Sequence, residues 1–219
     1  MSQRAPPSPI FAILALSLVL IAPIKSAMAI EEPAYTLVHQ YPEFELRRYA
    51  PVLIAETKVS GKFDAVGNQA FRTLAGFIFG RNRTGESIAM TAPVNQRPAT
   101  SESTASPDTG DYWLSFTMPR SFTSASLPAP TDPQIQVREE PARLMAARRY
   151  SGRWTLANYR EQEAALLVAV RTAGLQANAP PVYARYDAPF VPWFLRRNEV
   201  LVQVRDEPQP VTATGSTPR

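Results

Sequence analysis

Part of this chain is written twice. Leu53-Ile54-Ala55 and the corner Val59-Ser60-Gly61-Lys62-Phe63 return ninety-one residues later as Leu144-Met145-Ala146 and Tyr150-Ser151-Gly152-Arg153-Trp154. A helical period follows each corner. In Phe63–Phe79, Val66, Ala70, Leu74 and Phe77 share one face, with Phe71 and Ile78 beside them. In Trp154–Val170, Tyr159, Leu166, Leu167 and Val170 take the inward side. Each helix leads to two strands: Ile88–Val94 and Tyr112–Met118 in the first copy, Val182–Tyr186 and Glu199–Val204 in the second. The units span residues 35–119 and 134–205 and each reads strand, helix, strand, strand. A repeat this long is not a solenoid period. One apolar helix face and one apolar sheet face cannot be buried within a single unit. The pattern therefore predicts one pseudo-twofold α+β domain, with a cleft or flattened pocket between sheet and helices; the alternative is coincidence between two ordinary amphipathic units.

Local signals fill in the rest. Glu43–Tyr49 alternates polar and apolar and reads as a strand, preceded by the extended stretch Tyr35–Tyr41. Pro51 interrupts it, and Val52–Val59 resumes as a second strand or as a bulged continuation of the first. Asp64 is the expected N-cap of the first helix, and Gly80 and Gly174 are the expected stops. Residues 97–111 carry too few apolar side chains to build a core and read as a flexible hairpin tip. Residues 120–133 read as a connector, and residues 206–219, polar and proline-rich, as a disordered tail.

The first 29 residues belong to another class of segment. Arg4 precedes an apolar run from Ile10 to Ile21, and Ser26-Ala27-Met28-Ala29 supplies small residues in an A-x-A arrangement. This is the order of a secretory signal, cut after Ala29. The apolar run is about a dozen residues, short of the roughly 20 that span a bilayer, so no stable membrane anchor is expected. The mature protein is then periplasmic or secreted. Arg4 and Lys25 leave with the leader and take the formal charge from +4 to +2. No basic stripe with interleaved aromatics is present, so nucleic acid is not an expected partner.

Two residue types bound the chemistry. There is no cysteine, hence no disulfide, thiolate nucleophile, cysteine-ligated metal or lipid-modified cysteine. There is one histidine, His39, which excludes multi-histidine metal sites and leaves no credible catalytic constellation. An enzyme is not expected.

Several segments, in order, resemble the SOUL family of haem-binding proteins. They are Glu45-Leu46-Arg47-Arg48-Tyr49-Ala50-Pro51, Gly85–Val94 (GESIAMTAPV), Arg185-Tyr186-Asp187-Ala188-Pro189-Phe190 and Arg196-Arg197-Asn198-Glu199-Val200. The resemblance covers residues 33–205. It implies a distorted antiparallel β-barrel made from two β-α-β-β halves with two flanking helices. It also implies non-covalent binding of haem or another tetrapyrrole in an apolar groove beside the first helix, as a carrier or buffer. A flat apolar disc with two propionates needs a hydrophobic floor and cations at its rim. Phe71, Leu74, Phe77, Ile78 and Met90 are the expected floor, and Arg72, Arg81 and Arg83 the expected cations. The helix stripe serves equally as plain core, and Met90 as a core filler or a soft iron ligand. Some relatives carry a histidine where this chain has Arg48, and His39 does not align with it, so the metal ligand is unknown. Tyr49 and Tyr186 are candidates because phenolate ligates ferric iron. The aromatic run Pro189-Phe190-Val191-Pro192-Trp193-Phe194 is either a ligand lid or a cover for the barrel end. The alternatives are a general small-molecule effector-binding module on the same duplicated scaffold and a weak tetrapyrrole-modifying enzyme.

Overall fold

A computed structural model describes residues 30–99 and 109–205. The leader and the tail lie outside the described residues, as does most of the expected hairpin tip. Two short strands open the domain, β1 (Tyr35–Gln40) and β2 (Glu45–Tyr49). Next come β3 (Val52–Lys62), α1 (Phe63–Ile78), β4 (Val94–Pro98) and β5 (Thr109–Thr117). The second half runs β6 (Ile135–Glu140), β7 (Arg143–Tyr150), α2 (Leu156–Thr172), β8 (Val182–Arg185) and β9 (Asn198–Gln203). A single 3-10 turn, Trp193–Leu195, interrupts the last connection.

All nine strands join one antiparallel sheet in the order β1-β2-β7-β9-β8-β4-β5-β3-β6. The fold is α+β as expected, but the barrel is not: the sheet is open, with β1 and β6 as its edges. From the central β4–β8 pair outward, β5 answers β9, β3 answers β7 and β6 answers β2. The leading strands cross over, since β2 pairs with β7 and β6 with β3. Neither half has a complete sheet without the other.

Alternation along the strands sorts the side chains between two faces. Leu144, Ala146, Val200 and Val202 join the large core beneath the helices, while Met145, Ala147 and Leu201 form a small cluster on the opposite face with Tyr49 and Ala184. α1 packs on β3 and β5, and α2 on β7 and β9. Aromatic rings join the halves at the centre of the large core. Phe63 of α1 meets Tyr112, Tyr159 and Tyr183 edge-on at centroid distances of 5.4, 5.3 and 5.5 Å.

The two corners that repeat in sequence also share a conformation. Gly61 has φ +144° and Gly152 φ +147°, where a side chain would be strained. A Cβ on Gly152 would also lie 2.6 Å from the Asn158 amide.

Three local expectations are corrected. Asp64 does not cap its own helix: the N-cap is Lys62, and the Asp64 carboxylate accepts a hydrogen bond at 3.1 Å from the Leu156 N–H, the first amide of α2. α2 begins two residues later than the repeat alone suggests, because Thr155 is its N-cap and its hydroxyl accepts from the Asn158 N–H. Residues 88–93 are not a strand, and β4 starts at Val94, where the strand was expected to end. Their amides are used elsewhere, Ile88 N–H donating to the Ile78 carbonyl and Ala92 N–H to the Glu31 carbonyl, while Pro93 has no N–H to give.

Candidate ligand-binding site

The apolar stripe of α1 divides into two groups. Leu74, Phe77 and Ile78 are buried in the large core and offer no surface to a ligand. Phe71 is 36% exposed and rests edge-on against Phe116 at 5.4 Å. Met90 is 38% exposed, and Phe79, just past the helix, is 63% exposed. Of the three expected cations, the Arg81 guanidinium is engaged by the fold. Arg81 donates to the Arg72 carbonyl at 3.1 Å, its own carbonyl accepts from Thr131, and the Arg83 amide donates to the Ala129 carbonyl. The 81–83 loop is thereby tied to the 120–133 connector. Asn82 anchors it from inside, its buried amide donating to the Phe77 and Glu86 carbonyls.

A different groove, of about 730 Å³, lies on the outer side of α2. One wall is the helix: Ala164, Ala165, Val168, Ala169, Thr172 and Ala173. The other is the β1–β2 turn, Tyr41 to Phe44. The turn closes on a hydrogen bond from the Tyr41 N–H to the Phe44 carbonyl at 2.9 Å, which stacks the two rings 4.4 Å apart with planes 16° from parallel. Arg148 holds the walls together. It donates to the Glu43 carbonyl and carboxylate from one nitrogen and to Gln162 of α2 from another.

The helix side follows from its sequence. Tyr159, Leu166 and Val170 turn inward and are fully buried. The outward positions are small and apolar instead of charged, and Val168 remains 55% exposed. A helix apolar on two sides has more apolar surface than its sheet covers. Arg160 and Arg171 stand one turn before Ala164 and one turn after Val168, with Glu161 beside the former. His39 lies against the lining residue Tyr41, with ring centroids 4.4 Å apart and planes tilted by 59°, and is not itself part of the lining.

The opposite sheet face carries a buried charge cluster that sequence reasoning did not find. Glu199 is fully buried and accepts from Arg47 at 2.7 and 3.2 Å, from Tyr186 at 2.9 Å and from Arg197 at 3.2 Å. Arg47 also reaches Glu45 at 2.7 Å and the Tyr49 hydroxyl at 3.1 Å. Burial acts to raise the Glu199 carboxyl, but the Arg47 hydrogen bond and charge, the Arg197 charge and the Tyr186 hydroxyl outweigh it and hold the group below its ordinary value. Burial, then the neighbouring Glu199 charge, pushes the Tyr186 hydroxyl well up, so it stays a neutral donor. Tyr49 is likewise raised, chiefly by burial. Every charge here has an internal partner, which makes the cluster a structural element. The Tyr186 hydroxyl is engaged by Glu199 and the Tyr49 hydroxyl by Arg47. Among the described residues no group of three or more His, Cys, Asp and Glu side chains could hold a metal ion.

These observations stand beside the comparisons with known proteins. The SOUL heme-binding protein family matches residues 30–203. This chain belongs to the SOUL family. No curated protein matches its sequence. Among solved structures, this SOUL chain is similar to the EcmrR C-terminal domain, with 12% identity and a TM-score of 0.60 over 78% of this chain and 98% of that one. It is also similar to a hydrolase from Listeria innocua, with 12% identity and a TM-score of 0.58 over 74% of this chain and 92% of that one. At such identities the likeness is one of fold.

Proposed function

We propose that this SOUL protein binds haem or a related tetrapyrrole without covalent attachment, in the groove between α2 and the β1–β2 turn. The observation that carries the reading is the groove itself. Its 730 Å³ falls in the range of roughly 300–1,000 Å³ that small-molecule sites occupy. Its helix wall of alanines lets a flat ring approach the backbone closely, and Tyr41 and Phe44 offer stacked rings opposite. Arg171, in the last turn of α2 and one turn beyond Val168, would pair with a propionate. The residues present therefore fit such a group by apolar contact and charge at the rim. With its leader removed after Ala29, the protein would act as a carrier or buffer in the periplasm or outside the cell, without catalysis. The symmetric strand order supports reading residues 35–119 and 134–205 as two copies of one unit.

The test is a hemin titration of the chain starting at Ile30, which holds every described element, followed at the Soret band. Val168→Glu places a carboxylate on the groove wall at an exposed helix position the fold tolerates. A buried, unpaired polar group costs about 1–3 kcal/mol, so hemin affinity is expected to fall by roughly tenfold to a hundredfold. Phe71→Ser, on α1, is expected to leave it within about twofold. The reverse pattern would move the site to α1, and no saturable Soret shift with the parent chain would overturn tetrapyrrole binding altogether. Because His39 lies outside the lining, His39→Ala is expected to leave both affinity and ferric spectrum unchanged. A lost low-spin signature in that variant would instead make His39 an iron ligand.

A further inference from the structure

The segment between β8 and β9 exposes more large apolar surface than any core requirement explains. Phe190 is 88% exposed, Trp193 46%, Phe194 58% and Leu195 65%. They do not line the α2 groove. The backbone beneath them is nonetheless firmly built. The half-buried Arg196 donates to the Pro189 carbonyl at 2.6 Å and to the Val191 carbonyl at 2.8 Å. Its guanidinium also lies over the Trp154 ring at 4.2 Å. Val191 N–H closes on the Ala188 carbonyl, and Leu195 N–H on the Pro192 carbonyl. Two prolines, Pro189 and Pro192, stiffen the segment further. A protein that merely tolerated stray apolar residues would not fix the backbone that holds them out.

We infer that this loop is a membrane-surface contact, inserting Phe190, Trp193, Phe194 and Leu195 into the interfacial layer of a lipid bilayer. Three features select a bilayer over a protein or a small molecule. First, the residues are those that settle at the boundary between headgroups and acyl chains, with aromatic rings foremost. Second, the loop presents them outward on one rigid turn, where a small ligand would need a concave site. Third, the loop's own charged side chains are of one sign. No carboxylate occurs from Ala188 to Asn198, and the exposed Arg153 lies over the Trp193 ring at 5.1 Å, placing a cation at the height of anionic headgroups. Asp187, the nearest acid in sequence, is taken by the Arg197 amide at 2.5 Å. The proposed contact is peripheral; among the described residues no helix is long and apolar enough to cross a membrane.

The test uses the chain starting at Ile30, without hemin, so that it stands or falls apart from the tetrapyrrole reading. Vesicles of phosphatidylethanolamine and phosphatidylglycerol are the probe, with pure phosphatidylcholine vesicles alongside. The parent chain is expected to co-sediment with the anionic vesicles and about fivefold less with the zwitterionic ones, one basic residue near an anionic surface being worth about 1 kcal/mol. The variant Phe190→Ser, Phe194→Ser, Leu195→Ser changes only exposed side chains and is expected to lose at least tenfold in partitioning with an unchanged melting temperature. Arg153→Gln should remove the preference for anionic vesicles. In a chain with Trp113→Phe and Trp154→Phe, Trp193 emission should shift to the blue on vesicle addition and be quenched by lipids brominated in the acyl chain. A parent chain that stays in the supernatant, or a triple variant that sediments equally well, would overturn the proposal. So would concentration-dependent dimerisation that the triple variant abolishes in the absence of any vesicle binding, which would mark the loop as a protein interface.

Discussion

Glu199→Gln is expected to cost the fold about 3–5 kcal/mol, the usual result of breaking a buried ion pair by removing one partner. For a domain of this size that is a loss of roughly 6–20 °C in melting temperature. The substitution barely changes shape, but it takes away the charge that Arg47, Tyr186 and Arg197 are arranged around. Arg47 is 3% exposed and would keep only Glu45 as a counter-charge, while Arg197 would keep Glu32. The pH dependence gives the prediction its sign. The Glu199 carboxyl is held below its ordinary value of 4.5, so its contribution is complete above that pH and is lost as pH falls through the folded value. Parent and variant should therefore differ most near neutrality and converge in acid. Urea melts between pH 3 and 8 measure this directly. A constant difference across the range, or none at pH 7, would show that the cluster is not the coupled unit described. Replacing both partners, Arg47→Met with Glu199→Met, should recover part of the loss, because an apolar pair leaves no buried charge uncompensated.

That cluster also shows where sequence reading stops. Arg47 and Glu199 are 152 residues apart and meet only because β2 crosses to β7 and β7 pairs with β9. Alternation marks both segments as strands, but no local pattern announces which strands become neighbours. The corners were legible for the opposite reason. Ser-Gly followed by a basic residue and an aromatic fixes a positive-φ turn into a helix using neighbouring residues alone, and Gly61 and Gly152 both adopt it. The helices were legible to within two residues, the error at α2 arising where Thr155 competes for the cap.

The candidate site was harder to read than the fold. On α1, the 3.6-residue period names the side that will be buried, but a ligand floor and a protein core have the same period. Leu74, Phe77 and Ile78 belong to the core, and Phe71 and Met90 stay partly exposed. On α2 the residues lining the groove are mostly alanines, too small to stand out in a search for hydrophobic stripes. The available signal was negative: positions 164, 165, 168, 169 and 173 lack the charges that an outward helix face normally carries. The exposed aromatic loop was visible as composition, but its exposure and its bracing by Arg196 needed the fold.

Tyr159→Ala is expected to cost about 3–5 kcal/mol, as large aromatic truncations in cores do, and to reach both halves of the domain at once. Tyr159 is fully buried on α2, and its ring lies 5.3 Å from Phe63 of α1 and 4.8 Å from Tyr183 of β8. Its hydroxyl accepts from Arg185 at 2.9 Å, and Arg185 in turn donates to Gln96 of β4 at 2.6 Å. The side chain thus couples α2 to the central β4–β8 pair, where the halves meet. Tyr159→Phe keeps the ring and loses only the hydrogen bond to a charged partner, about 1.5–3 kcal/mol. Alanine should therefore be clearly worse than phenylalanine in urea midpoint at an unchanged slope. Because neither half has a complete sheet alone, both variants should unfold in one transition. Two separate transitions, or an alanine variant no worse than the phenylalanine one, would mean that the ring cluster does not join the halves. Hemin binding should follow stability here, since α2 is one wall of the proposed groove, and should disappear with the folded fraction and not before it.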